Sequence, residues 1–162
     1  MKGPVLVTGG AGFIGSNLSS RLAGMGHDVI VLDSLARPGV ESNLRWLEAQ
    51  HGGRIHHIRA DIRDRTAVEE AVRDATAVFH FAAQVAVTTS LDDPRSDFEI
   101  NVGGTFGLLD ALRRKGDGTP VVFASTNKVY GNLADVSLDL LDCAYAPTDA
   151  GLCRYGVGED RP

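Results

Sequence analysis

The chain has 162 residues, of which 43% are hydrophobic and 23% charged, and its formal net charge is −5. This composition is typical of one globular domain, and an acidic chain with scattered lysines and arginines does not favour a nucleic-acid surface. No apolar run approaches the length needed to span a bilayer, and a strand-like segment follows almost directly on Met1. We therefore expect a cytoplasmic protein that binds neither nucleic acid nor membrane, with Cys143 and Cys153 as free thiols.

A glycine-rich turn lies between the first strand-like run, 5–7, and a segment whose apolar residues recur at helical spacing. Its glycines follow the pattern G-x-x-G-x-x-G. Such a turn lets backbone N–H groups and the positive end of the helix dipole meet a pyrophosphate, so it predicts a dinucleotide site. The alternative is a purely structural turn. The predicted cofactor contacts here are Gly9, Gly12, Phe13, Ile14 and Gly15.

The second apolar run, 29–32, ends on Asp33. An acidic residue about 20 positions after such a turn is where an NAD site places its acceptor for the adenosine ribose hydroxyls. Its charge would also repel the 2′-phosphate of NADP. The alternative is that Asp33 merely caps the strand, but the spacing favours a cofactor contact and NAD as the cofactor.

Strand-like and helical patterns alternate as far as the predicted strand 120–124, which is typical of a parallel sheet with helices on both faces. Two more strands are predicted at 55–58 and 77–81. We expect a Rossmann-type, doubly wound α/β fold with about five strands in the order 3-2-1-4-5. From Asn132 onward the pattern fades. Residues 1–134 are therefore predicted to be the NAD-binding domain, and 135–162 an irregular tail.

In that strand order, the residues that follow strands 3 and 4 lie beside the glycine-rich turn, where open α/β sheets bind ligands. Asp61 suits a contact with the adenine amino group, or alternatively the turn that starts the next helix. Small residues after strand 4 leave space for the nicotinamide half. His80 is interpreted as a satisfied interior histidine. The predicted cofactor contacts at this edge are Asp61, Ile62, Phe81, Ala82, Ala83 and Gln84.

No metal site is predicted. His56 and His57 are neighbours on a predicted strand, and consecutive strand residues point to opposite faces, so their rings cannot hold one ion.

A long helix is predicted from Pro94 to Arg114. One stripe at helical spacing is expected to face the core, although a second face could serve a subunit contact. Glycine costs roughly 1 kcal/mol against alanine inside a helix, so Gly103 and Gly104 suggest close approach by another backbone or a ligand. The predicted stripe comprises Phe98, Val102, Thr105, Leu109 and Leu112.

Taken together, these motifs resemble the extended short-chain dehydrogenase/reductase family, the NAD-dependent epimerases and dehydratases. The resemblance covers residues 5–131 and includes the motif Ser-Thr-Asn-Lys-Val-Tyr-Gly at 125–131. Within that family, the chain most resembles the sugar-nucleotide epimerases of the CDP-paratose 2-epimerase type. The stretches that carry this finer resemblance are 37–39 with 43–47, 84–90 with 97–105, and 125–131.

The resemblance implies a mechanism in which bound NAD removes hydride from a sugar carbon, leaving a ketone, and later returns it to the opposite face. Thr126 matches the catalytic Ser/Thr that hydrogen-bonds the reacting hydroxyl. Asn101 and Ser125 match cofactor contacts, and Thr88 and Thr89 match positions near the substrate. The implied partners are a nucleotide sugar, specifically a CDP-sugar, and further copies of the chain in a homo-oligomer of the complete enzyme.

One part of the family pattern does not occur in this sequence. The general base should be a tyrosine followed four positions later by lysine. Tyr130, Tyr145 and Tyr155 are followed at that distance by alanine, aspartate and glutamate. We therefore expect the NAD-binding, N-terminal part of a sugar-nucleotide epimerase, truncated before the last strands and the substrate lobe and inactive alone. The alternatives are another nucleotide-sugar epimerase or dehydratase, and a non-catalytic NAD-binding module.

Overall fold

Five short strands pair in parallel in the order β3-β2-β1-β4-β5. The computed structural model describes residues 3–126 and 131–158. The predicted α/β fold and strand order are confirmed. The strands are β1 Val5–Thr8, β2 Val29–Leu32, β3 Ile55–Ile58, β4 Ala77–His80 and β5 Val121–Phe123.

Helices connect the strands and cover the sheet. Within the described part of the chain, none of them combines the length and the apolarity needed to cross a membrane. The α-helices are α1 Phe13–Gly24, α2 Val40–His51, α3 Arg65–Arg73, α4 Val87–Asp92, α5 Pro94–Phe98 and α6 Thr105–Lys115. A 3₁₀ turn, Gly52–Arg54, precedes β3, and a π-helical segment, Glu99–Gly104, joins α5 to α6.

The core lies on both faces of the sheet, because consecutive strand residues point to opposite sides. Leu6 of β1 belongs to a cluster on one side that includes Val72 of α3 and Leu108 of α6. Val7 belongs to a cluster on the other side that includes Leu47 of α2. All four residues of β1 are buried, so the turn that follows it starts from a strand packed on both faces.

The strand register brings three chain segments to one edge of the sheet. Thr8 at the end of β1 is level with Leu32 at the end of β2 and with His80 at the end of β4. The segments that follow these three residues therefore begin side by side at the carboxyl edge. This is the edge at which open parallel sheets bind ligands.

The predicted long helix is helical from Pro94 to Lys115, but its regular α-helical geometry is interrupted by the π-helical segment. The predicted core stripe is wrong for three of its five residues, although Leu112 packs against the core and Thr105 is half-buried. Gly104, Leu108 and Ala111 are buried, whereas Phe98, Val102 and Leu109 are 48 to 61% exposed. The helix carries apolar residues on two faces, and the face with the largest side chains is the outward one.

The two consecutive glycines in this helix reflect one close contact. A Cβ atom on Gly104 would lie 2.7 Å from Cγ2 of Ile62, and a Cβ on Gly103 would meet nothing within 4 Å. The neighbour is thus a side chain, where the sequence suggested a backbone or a ligand. Gly104 is needed because Ile62 is buried and belongs to the same core cluster as Leu108.

The chain divides into two compact units, Met1–Ala124 and Ser125–Pro162. The second unit contains an antiparallel hairpin, β6 Leu138–Leu141 with β7 Ala144–Pro147, followed by helix α7 Ala150–Tyr155. The expectation of an irregular tail therefore needs correction. The strands β6 and β7 have four residues each and are mostly exposed, so they produce no clear alternating pattern in the sequence. The domain boundary at residue 134 stays a prediction.

The contact between Gly104 and Ile62 predicts opposite effects at two adjacent glycines. Gly104→Ala is expected to lower the free energy of unfolding by about 1–3 kcal/mol, because the buried, β-branched Ile62 cannot move aside freely. Gly103→Ala, the matched control, is expected to raise it by roughly 0.4–1 kcal/mol. Urea unfolding of the two variants and the parent chain measures both. Equal effects at the two positions would contradict the described packing.

Candidate functional site

The glycine-rich turn is tightly packed between β1 and α1. Gly9 has a φ of +66°, and a Cβ there would lie 2.7 Å from the backbone nitrogen of Ala82. A Cβ on Gly15 would collide with the carbonyl oxygen of Gly9. The Gly12 N–H donates to that same carbonyl oxygen over 3.0 Å. Side chains at positions 9 and 15 would therefore force the turn away from both β4 and α1.

Helix α1 begins directly after this turn. Phe13 and Ile14 occupy its first positions and are 83% and 61% exposed. The first backbone N–H groups of an α-helix have no acceptor within the helix, and the helix dipole places partial positive charge there. The first turn of α1 contains no acidic residue. This end of α1 can therefore bind an anion.

Asp33 is half-buried beside the turn and is held by two backbone donors. The Ala11 N–H donates to its Oδ2 over 3.0 Å, and the Leu35 N–H donates to its Oδ1 over 2.9 Å. The Asn43 side chain donates to the Ala11 carbonyl over 2.9 Å, so the backbone of Ala11 is held at both its N–H and its C=O. A carboxylate has about four acceptor positions, so these bonds leave room for hydroxyl groups of a ligand.

Asp61, the predicted adenine contact, pairs with a nearby arginine. Its Oδ1 accepts from the Arg63 backbone N–H and from Nε, and its Oδ2 accepts from an Arg63 terminal nitrogen over 2.8 Å. These bonds hold the pKa of the Asp61 carboxyl below its usual value. Asp61 also begins the turn before α3, since its carbonyl accepts from the Asp64 N–H. It thus forms the helix-start turn and still exposes a carboxylate at the carboxyl edge.

The segment after β4 forms one wall of the site. Within it, Phe81, Ala82 and Gln84 are half-buried, while Ala83 is exposed. The Asn101 side chain holds Gln84 on both sides: its Oδ1 accepts from the Gln84 N–H over 2.9 Å, and its Nδ2 donates to the Gln84 carbonyl over 3.0 Å.

The Gln84 side chain makes a further contact across the site, because its Oε1 accepts from Arg37, in the loop after β2, over 3.1 Å. This bond joins the loops that follow β2 and β4, the two strands that flank β1.

A buried polar network lies behind this wall. The Thr8 Oγ1 is 2.6 Å from Nδ1 of His80, whose Nε2 is 3.0 Å from the Thr105 Oγ1. The Thr105 hydroxyl donates to the Asn101 carbonyl over 2.6 Å, and the Ala82 N–H donates to the Thr8 Oγ1 over 3.3 Å. His80 is 2% exposed, and burial lowers its pKa.

The remaining predicted residues are placed as follows. Ile62 is buried in the core against Gly104 and offers little of its side chain to a ligand. Thr88 and Thr89 are exposed on α4. Ser125 and Thr126 are exposed and belong to the second compact unit, so their catalytic and cofactor roles stay predictions. Residues 127–130 of the family motif lie outside the described residues.

Several residues that shape the site were missed by the sequence analysis. Thr8 was given no role in the site, and Thr105 only a place in the predicted core stripe. Their hydroxyls are connected only through His80, which is 72 positions from Thr8 in the chain. The pairing of Arg63 with Asp61 was also missed. Only the unusual pair of glycines after Asn101 hinted that the helix geometry changes there.

The family model described as GDP-mannose 4,6 dehydratase matches residues 6–147 of this chain. The chain belongs to this family. The predicted membership of the NAD-dependent epimerases and dehydratases is thereby confirmed.

Relatives of known structure or function agree with this assignment. The chain is 42% identical over 147 residues to the CDP-paratose 2-epimerase of Salmonella typhi. It superimposes on the UDP-glucose 4-epimerase of Stenotrophomonas maltophila, solved with bound NAD and formylated UDP-arabinopyranose, with a TM-score of 0.73 and 36% identity over 82% of the chain. The Thermus thermophilus UDP-glucose 4-epimerase, solved in complex with NAD, gives a TM-score of 0.64 and 44% identity over 76% of this chain.

The chain spans less than half the length of these relatives. The Salmonella typhi match covers 90% of this chain and 43% of the relative. The two solved structures are covered to 39% and 37% of their lengths. The shared region contains the five-stranded sheet and its carboxyl edge.

The clamp on Gln84 requires an amide at position 101. In Asn101→Asp the Gln84 carbonyl loses its donor. In the parent chain the Asn101 amide also donates to Oδ1 of Asp97, so the variant places a second carboxylate beside that of Asp97. We expect the free energy of unfolding to fall by about 1–3 kcal/mol. In the control Asn17→Asp, an exposed side chain bonded to the Phe13 carbonyl, the change should stay within about 0.5 kcal/mol. Urea unfolding measures the free energy of both variants. Equal losses in Asn101→Asp and Asn17→Asp would contradict a stabilising role of the bonds between Asn101 and Gln84.

Proposed function

We propose that these residues form the NAD-binding part of a nucleotide-sugar epimerase of the CDP-paratose 2-epimerase type. One observation carries the proposal: the glycine-rich turn and the start of α1 lie beside the Asp33 carboxylate, which accepts the Ala11 N–H of that turn. A site for an anion and an acceptor for ribose hydroxyls are thus held together. This is the pair of groups that an adenine dinucleotide requires.

The donor set of the site fits NAD. The pyrophosphate would bind at the backbone N–H groups of Phe13, Ile14 and Gly15, at the start of α1. Gly9 and Gly12 would contact it through their backbone, since neither carries a side chain. The ribose of the adenosine half would bind at Asp33. Asp61 would contact the adenine, and the segment 81–84 with Asn101 would border the nicotinamide half. When bound, NAD supplies a hydride acceptor, and the chain's own residues hold and orient it.

The nucleotide-sugar substrate is proposed from the relatives. The Salmonella typhi relative is a CDP-paratose 2-epimerase, and a solved relative contains a UDP-sugar derivative. Thr88, Thr89 and Thr126 are proposed to contact the sugar, with Thr126 hydrogen-bonded to the reacting hydroxyl and Ser125 near the cofactor. The second candidate is another nucleotide-sugar epimerase or dehydratase, which is favoured by the UDP-glucose 4-epimerase and dTDP-glucose 4,6-dehydratase relatives.

We propose that these 162 residues bind NAD but do not turn over substrate alone. No tyrosine among them is followed four positions later by lysine, and general acid–base help is worth about 10²–10⁴-fold. An assay of the purified chain with NAD and CDP-paratose should give no measurable epimerisation. Turnover at a rate typical of enzymes would contradict the missing base. A non-catalytic NAD-binding module remains the alternative, and the cytoplasmic location stays a prediction.

The charge of Asp33 predicts selectivity for NAD over NADP. Titration calorimetry of the chain should give a dissociation constant for NADP at least about tenfold above that for NAD, because the carboxylate repels a 2′-phosphate. Asp33→Asn removes the charge at nearly constant shape, so the ratio of the two constants should approach one. Using the ratio cancels any general loosening of the turn at Ala11 and Leu35.

Asp64→Asn is the matched control for this change. Asp64 caps α3 and lies three positions after Asp61, and asparagine is an equally good N-cap. The NAD to NADP ratio should therefore stay as in the parent chain. Absence of NAD binding by the parent chain, or an unchanged ratio in Asp33→Asn, would refute the proposed site.

We also propose that the complete protein is a homo-oligomer that uses the outward apolar face of α5, the π-helical segment and α6. This face is defined by Phe98, Val102, Phe106 and Leu109, all of them exposed in the single chain. Such a run of large apolar side chains on a helix surface is typical of a contact with another chain. A second copy of the chain is the proposed partner.

Sedimentation velocity tests this contact. The parent chain should sediment as a dimer or larger species, and Phe106→Asp should shift it towards monomer. The control is Met25→Asp, which places the same charge on another exposed apolar residue, at the end of α1, and should leave association unchanged. A monomeric parent chain at all concentrations, or equal effects of the two variants, would contradict the proposed contact.

A further inference from the structure

His80 lies at the end of β4, buried beneath the proposed cofactor site, and the proposed binding of NAD does not itself use it. We infer that His80 is a positioning residue, which fixes the wall segment Ala82–Gln84 through a chain of hydrogen bonds that runs in one direction only. The inference rests on the proposed NAD site for its functional meaning. The hydrogen-bond chain itself depends only on the described contacts.

The direction of the hydrogen-bond chain follows from its last acceptor, the Asn101 carbonyl oxygen. A carbonyl oxygen can only accept, so the Thr105 hydroxyl must donate its single hydrogen to the Asn101 carbonyl, 2.6 Å away. Thr105 then has no hydrogen left for His80. The Nε2 atom of His80 must therefore carry a hydrogen and donate it to the Thr105 oxygen over 3.0 Å.

The other side of the ring follows in the same way. A neutral imidazole has one donor and one acceptor nitrogen, so Nδ1 accepts from the Thr8 hydroxyl over 2.6 Å. The Thr8 oxygen in turn accepts from the Ala82 N–H over 3.3 Å. The three side chains between the ends, Thr8, His80 and Thr105, each donate once and accept once. A second proton on His80 would turn Nδ1 into a donor, and the Thr8 hydroxyl would lose its acceptor there.

Among the residues that the structure describes, no charged group bonds to the His80 ring. The ring nitrogens face the hydroxyls of Thr8 on β1 and Thr105 on α6, and the Phe123 ring of β5 packs 5.6 Å from the imidazole. Burial lowers the pKa of His80 and so favours the neutral ring. The hydrogen-bond geometry fixes the tautomer of that neutral ring.

The hydrogen-bond chain holds the wall segment at both ends of that segment. At the first end, the Ala82 N–H donates to Thr8. At the other end, Gln84 is clamped by the side chain of Asn101, whose own carbonyl terminates the hydrogen-bond chain. Asn101 lies in the π-helical segment, which ends next to Thr105. This one residue provides both the clamp, through its side chain, and the final acceptor, through its carbonyl. His80 connects these two attachments through the interior.

A rigid imidazole suits this role, because it presents an acceptor and a donor on opposite sides of one flat ring. Asparagine can replace the acceptor at Nδ1, and glutamine can replace the donor at Nε2, but neither can supply both contacts. A hydrogen bond in this buried site is worth more when every member is satisfied, and a partly satisfied network loosens what it holds. The structure thus predicts a loss of position at Gln84 when either threonine hydroxyl is removed.

The test uses three threonine variants. Thr105→Val removes the hydroxyl at nearly constant shape, and Thr105→Ser restores it. Thr76→Val is the control, because the Thr76 hydroxyl donates to the Pro4 carbonyl at the opposite edge of the sheet. The readouts are hydrogen exchange of the Gln84 amide, the NAD dissociation constant, and ¹⁵N NMR of the histidine rings, with the His80 signals assigned by their loss in His80→Gln.

In the parent chain, NMR at pH 7 should find a hydrogen on Nε2 and none on Nδ1. Thr105→Val should speed exchange of the Gln84 amide and weaken NAD binding by about tenfold each, and Thr105→Ser should recover most of both. Thr76→Val should change neither. These results support the positioning role, since a merely structural loss would not be rescued by serine with the tautomer retained.

The outcomes that overturn the inference are separate from those that overturn the NAD site. A hydrogen on Nδ1, or unchanged Gln84 exchange in Thr105→Val, refutes the positioning role of His80 even where NAD binds normally. A parent chain that does not bind NAD refutes the proposed function, and Gln84 exchange then still decides whether His80 holds the wall.

Discussion

The close approach between the glycine-rich turn and its neighbours is the constraint on which the site depends. Gly9 lies against the backbone of Ala82, and Gly15 lies against Gly9, so β1, β4 and the start of α1 meet without intervening side chains. Helix α1 can then point its first N–H groups across the carboxyl edge of the sheet. Asp33 reinforces this meeting point, because its carboxylate accepts from the turn at Ala11. Anion site, ribose acceptor and wall segment are therefore held at fixed positions.

Interior polar groups complete this arrangement. Thr8 ends β1 and His80 ends the neighbouring strand β4. Both are buried, where an unpaired polar group would cost about 1–3 kcal/mol. They avoid this cost by bonding to each other, to Ala82 and to Thr105. The hydrophobic core thus ends, at the level of the site, in a satisfied polar layer. That layer links the sheet to the helical segment that carries Asn101.

The parts of the molecule that could be predicted from the sequence are those encoded by short-range spacing. The three glycines, the apolar run ending on Asp33 and the alternation of strands with helices all depend on near neighbours, and the strand order followed from them. The buried face of the helix after Pro94 could not be predicted from the sequence. Phe98 and Val102 are apolar but exposed, so they gave the outward face the pattern of a core stripe. The hairpin at 138–147 and the bonds through His80 depend on pairings that no local pattern records.

The proposed site requires that an adenine dinucleotide bind at the start of α1 and reach the segment after β4. Amide NMR of the ¹⁵N-labelled chain during a titration with NAD measures this. The largest shifts are expected at the amides of 11–15, at Asp33 and Leu35, and at Ala82–Gln84, and they should saturate together. Shifts confined to other surfaces, or none at all, would refute the proposed site.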